Sequence, residues 1–92
     1  MREIGHFIGG KEVKGTSGRF GEVFNPNTGE VQAKVALAGK SETEKAIANA
    51  EAAFPAWAAT NPQRRARVMF KFLELIAAEY DDLARLLSSE HG

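Results

Sequence analysis

Apolar positions change their spacing partway along the chain. Up to about Gly39 they come in short runs rich in valine and phenylalanine and broken by glycine; beyond it they recur at helical spacing in segments rich in alanine, leucine and charge. The pattern predicts an α+β arrangement: two β-hairpins over residues 1–39, followed by two or three amphipathic helices over residues 40–92.

Phe7-Ile8 and Glu12-Val13 flank Gly9-Gly10-Lys11. Paired glycines between short extended runs supply the positive φ angles of a tight hairpin turn. Thr16-Ser17-Gly18-Arg19-Phe20-Gly21 reads as a loop and Glu22-Val23-Phe24 as a strand, and Asn25-Pro26-Asn27-Thr28-Gly29 then reverses the chain. Proline presets φ at one turn position and glycine accepts the left-handed region at another. In the run that follows, Val31, Ala33, Val35 and Leu37 alternate with Glu30, Gln32 and Lys34, the period of a half-buried strand and the second arm of a second hairpin.

Ser41-Glu42-Thr43-Glu44 predicts a helix start with Ser41 as cap and Glu44 reaching back to it. Ala46, Ile47, Ala50, Ala53, Phe54 and Trp57 recur on one face, and Pro55 is expected to end or kink this helix. Asn61-Pro62 reads as a cap followed by proline at the first helical position, opening a helix from Gln63 to about Glu79. Its stripe is Met69, Phe72, Leu73, Ile76 and Tyr80, continued by Leu83 and Leu87 after an expected break at Tyr80-Asp81-Asp82. Phe70, Leu75 and Leu86 lie off that stripe, so these helices want apolar cover on more than one side, which so short a chain cannot supply to itself. His91-Gly92 has the form of a helix C-terminus.

Composition narrows the picture. The 92 residues suffice for one small domain, and 12 basic and 12 acidic side chains cancel, so no whole-molecule field favours nucleic acid or an anionic membrane. With no cysteine, disulfides, thiolate metal sites and thiol nucleophiles are excluded within these residues. No secretory leader is evident at the start, and no apolar run approaches a membrane span, so a soluble protein of the cytoplasm, or of the mitochondrial matrix in a eukaryote, is expected.

Candidate chemistry is thin. His6 and His91 stand at opposite ends of the chain without metal spacing and read as a terminal surface residue and a helix cap. Ser88, Ser89, Glu90 and His91 include the residue types of a nucleophile and a base, but neighbours on a helix point in different directions and cannot form a triad. Glycines 5, 9, 10, 15, 18 and 21 suit turns better than a phosphate loop, because strands rather than a helix follow them. Arg64, Arg65 and Arg67 read as a solvated or salt-bridging face, and Trp57 as a packing anchor. The residues alone therefore predict no catalytic, cofactor-binding or metal site.

A resemblance supplies more. Phe7-Ile8-Gly9-Gly10-Lys11-Glu12-Val13 and Val23-Phe24-Asn25-Pro26-Asn27-Thr28-Gly29-Glu30-Val31 resemble the amino-terminal hairpins of the aldehyde dehydrogenase superfamily. Ala50-Glu51-Ala52-Ala53-Phe54-Pro55-Ala56-Trp57, Arg64-Arg65-Ala66-Arg67-Val68-Met69-Phe70-Lys71-Phe72 and Ser89-Glu90-His91-Gly92 are similar to the CoA-acylating subgroup that oxidises methylmalonate semialdehyde. The resemblance implies an amino-terminal segment, peripheral to a Rossmann-like NAD-binding domain and belonging to a homo-oligomer. It also implies NAD and coenzyme A as cofactors of the full-length protein, with neither bound by these residues, and the remainder of the dehydrogenase chain as their partner, not nucleic acid or a membrane. In such enzymes a cysteine thiolate attacks the aldehyde, hydride passes to NAD and the acyl group leaves on coenzyme A. No position here matches the family's nucleophile, oxyanion-stabilising asparagine, catalytic glutamate or nucleotide-binding glycines. The rival readings are a subgroup that uses water as acyl acceptor and a stand-alone α+β protein-interaction module, with a nucleic-acid module behind both.

Overall fold

The computed structural model describes residues 1–92. Five strands precede three helices: β1 (Arg2–Ile4), β2 (His6–Ile8), β3 (Lys11–Val13), β4 (Phe20–Phe24), β5 (Val31–Ala36), α1 (Lys40–Ala59), α2 (Pro62–Ala78) and α3 (Tyr80–His91). The change from strand to helix falls between Ala36 and Lys40, on either side of Gly39.

Both hairpins form. β2 and β3 pair antiparallel with His6 opposite Val13 and Ile8 opposite Lys11, and Gly9 and Gly10 turn between them at φ 65° and 79°. Two successive positive φ angles match the twist of a two-residue hairpin turn, and a side chain at either position would be strained. β4 and β5 also pair antiparallel, joined by a turn in which the Asn27 N–H donates to Asn25 Oδ1 at 2.9 Å and the Asn25 N–H to the Glu30 carbonyl at 2.7 Å.

Three features of the strands differ from the sequence expectation. β4 begins at Phe20 rather than Glu22, because the Leu37 N–H donates to the Arg19 carbonyl at 2.9 Å and draws the supposed loop into the ladder. β1 was not expected at all: it pairs parallel with β5, Arg2 opposite Ala33 and Ile4 opposite Val35, giving a mixed sheet in the order β1-β5-β4. β5 is thus a central strand, and its burial does not follow simple alternation. Ala33 and Ala36, three apart and on opposite faces, are the only residues buried in the molecule, at 2% and 8% exposure, while Leu37 is exposed.

The helices begin and end for local reasons, with two corrections. α1 starts at Lys40, capped by Gly39 and not by Ser41; Glu42, not Glu44, is the residue that reaches back, its Oε1 accepting from the Gly39 N–H at 3.1 Å. α1 also runs through Pro55 to Ala59, so proline does not end it. The single lost hydrogen bond is outweighed by the helix formers Ala56 to Ala59, and the true stop is at Thr60-Asn61-Pro62. There the residue before proline avoids helical backbone, and Thr60 donates its N–H at 3.1 Å and its hydroxyl at 2.8 Å to the Ala56 carbonyl. Asn61 caps α2 as expected, its Oδ1 accepting from the Arg64 N–H at 2.9 Å. The break before α3 lies at Glu79, just ahead of the expected Tyr80. α3 closes on Gly92 at φ 88°, whose N–H donates to the Ser88 carbonyl at 2.7 Å.

These elements make a single thin layer. The molecule measures 48 × 35 × 16 Å, and its radius of gyration of 16.9 Å exceeds the ~12 Å of a compact domain of this length. No helix packs along another helix or along the sheet.

Candidate functional site

The most shielded polar cluster joins the first hairpin to α1. Glu42, at the N-terminus of α1, receives two backbone donors: Gly39 N–H on Oε1 and Thr16 N–H on Oε2, each at 3.1 Å. His6, carried by β2, places Nε2 3.5 Å from Glu42 Oε2, with the two side chains only 17% and 13% exposed. The Gly39 hydrogen bond, helped by that from Thr16 and by the His6 ring, holds the Glu42 carboxyl below the ordinary carboxylate range in spite of partial desolvation. His6 is therefore no surface residue of a free terminus, as the sequence implied, but half of a joint between hairpin and helix. Glu42 carried a legible signal, an acidic residue in the first turn of a helix; its partners Thr16 and His6, 26 and 36 positions away, did not.

This joint is closed chemistry. Both oxygens of Glu42 are committed to the backbone, and the adjoining cleft of about 250 Å³, lined by Ile8, Val13, Lys14, Thr16, Ser41 and Lys45, borders it from the side. A second cleft of about 420 Å³ lies between the hairpin and the sheet, where Glu3, Glu12 and Lys14 open to solvent. His91 ends α3 far along the chain from His6, and no three His, Asp or Glu side chains converge as metal ligands would.

The opposite end of the molecule is tied by Gln32. In the β4–β5 pairing, Val23 faces Ala33 and Phe24 faces Val31, so Gln32 is an extra, bulged residue. A bulge re-aims the side chain it carries. Gln32 Nε2 donates to the Phe24 carbonyl at 3.3 Å and to the Ser89 carbonyl at 3.1 Å, and the Ser89 hydroxyl donates to Gln32 Oε1 at 3.3 Å. Ser89 thus anchors α3 to the sheet, and the sequence had placed Gln32 among the solvent-facing residues. Arg64 and Arg67 stay exposed; Arg65 is half-buried, with an Nε that finds no acceptor.

What dominates the surface is apolar. Ile47, Phe54 and Trp57 on α1, Met69, Phe70, Phe72, Leu73 and Leu75 on α2, and Tyr80, Leu83, Leu86 and Leu87 on α3 are all exposed. The apolar excess expected from the helical stripes is there, without cover. A monomeric protein of this size does not ordinarily carry such an area unless it meets something. The candidate functional feature of these residues is this exposed apolar surface of the three helices; the Glu42 joint fixes the start of α1 to the first hairpin, and the Gln32 tie fixes the end of α3 to the sheet.

Comparison with known proteins agrees from end to end. The model of the aldehyde dehydrogenase family matches residues 13–92. Among curated relatives, a malonate-semialdehyde dehydrogenase of Pseudomonas aeruginosa is 44% identical over 92 residues, and malonate-semialdehyde dehydrogenase 3 of Geobacillus kaustophilus is 43% identical over 91. Among solved structures, a Sinorhizobium meliloti protein assigned as a methylmalonate-semialdehyde dehydrogenase and complexed with NAD matches all of this chain with a TM-score of 0.95 and 58% identity. A methylmalonate-semialdehyde dehydrogenase of Oceanimonas doudoroffii matches all of it with a TM-score of 0.93 and 46% identity. The chain spans 18% and 19% of the length of those two curated relatives and 19% of each of those two structures.

Proposed function

Because the chain belongs to the aldehyde dehydrogenase family, we propose that it is the amino-terminal scaffold layer of an NAD-dependent methylmalonate-semialdehyde dehydrogenase that releases its product as an acyl-CoA. The observation that carries this reading is the end-to-end superposition on two structures named for that activity, combined with an apolar helical face left bare by the chain itself. In the longer protein that face is covered by the coenzyme-binding body, the assembled enzyme is a homo-oligomer, and it works in the cytoplasm or, in a eukaryote, the mitochondrial matrix. No helix here is long and apolar enough to cross a membrane.

The residues of this chain do not fit the coenzyme. Its strand-to-helix turn, from β5 through Gly39 into α1, has one glycine, and the helix N-terminus where a pyrophosphate would sit already holds the Glu42 carboxylate. A second anion there would meet like charge. NAD and coenzyme A are held elsewhere in the longer protein, and this layer acts by shape: it closes one side of the body and fixes its edge.

The test uses both forms. A longer polypeptide carrying these residues at its start, incubated with NAD, coenzyme A and methylmalonate semialdehyde, produces NADH and an acyl-CoA; the 92-residue chain alone produces neither. Activity that needs no coenzyme A would move the assignment to a subgroup that discharges its acyl group to water. No turnover of any aldehyde by the longer polypeptide would remove the enzymatic reading.

A further inference from the structure

We draw no further inference here: the strongest candidate, the cleft of about 250 Å³ between the β2–β3 hairpin and the start of α1, with Lys14 and Lys45 on its wall, carries nothing, because its one acid, Glu42, belongs to the joint already described and nothing in the structure shows what covers the rest of it.

Discussion

Gly15→Ala is expected to destabilise this chain far more than a surface glycine substitution should. A methyl group built at position 15 would lie 2.6 Å from the Ala36 Cβ and 3.4 Å from His6 Nε2. Carbon atoms settle near 3.5–4.0 Å, so about 1 Å of separation must be found. Ala36 cannot yield it, because its Cβ is fixed to the backbone of the central strand and its side chain has no rotamer to change. The segment carrying residue 15 must therefore lift, and it takes with it the neighbouring Thr16 N–H, now 3.1 Å from Glu42 Oε2. Lifting by ~1 Å breaks that hydrogen bond, adding about 1 kcal/mol to an overpacking cost of about 1–3 kcal/mol. The sum, about 2–4 kcal/mol, is a large part of what a chain of this length can have. Urea denaturation followed by circular dichroism measures it. Two companions sharpen the result. Gly18→Ala meets nothing within 4 Å and suffers only its positive φ, so it should cost about 1 kcal/mol. Adding Ala36→Gly to Gly15→Ala removes the opposing methyl and should recover roughly 1 kcal/mol net of the cost of glycine in a strand. Equal losses for Gly15→Ala and Gly18→Ala, or no recovery in the double variant, would refute the contact argument.

Other perturbations address the remaining joints. Glu42 has a carboxyl held below its ordinary range, so it contributes stability that is complete above the usual glutamate range and is lost as the pH falls through the depressed value. Glu42→Gln should therefore lower stability at neutral pH and flatten the acid limb of a stability-versus-pH curve; an unchanged limb would show that the carboxylate brace is idle. Asn61→Ala removes the acceptor for the Arg64 N–H and should cost α2 about 1 kcal/mol, seen as faster amide exchange over its first turn. Gln32→Ala severs the tie between the β4–β5 hairpin and Ser89, and exchange should rise at the end of α3 while the β2–β3 hairpin stays protected. Equal loosening of both hairpins would mean that the tie is not local.

The chain's own residues determined several features whose cause lies within a few positions: the Gly9-Gly10 turn, the Asn25 to Gly29 reversal, the Asn61-Pro62 helix start and the period of the α2 stripe. In each, φ preference or one short-range hydrogen bond decides the outcome, and both can be read from neighbouring letters. Local reading failed where a distant segment competes for the same groups. Ser41 had the chemistry of a cap, yet Glu42 was already committed to Gly39 and Thr16, which set the helix start at Lys40. Phe20-Gly21 looked like loop until Leu37 offered a ladder bond to Arg19, and Arg2–Ile4 had no strand signal apart from the open edge of β5. Gln32 looked solvent-facing because nothing in a period-two pattern announces a bulge. Family membership was legible because whole runs of letters carry it, and the helical stripes announced a want of cover, while how little of the chain is buried, Ala33 and Ala36 alone, was decided by the tertiary arrangement. Amphipathic periodicity says that a face must be covered; only the path of the backbone shows that these three helices lie in one layer and cannot cover each other.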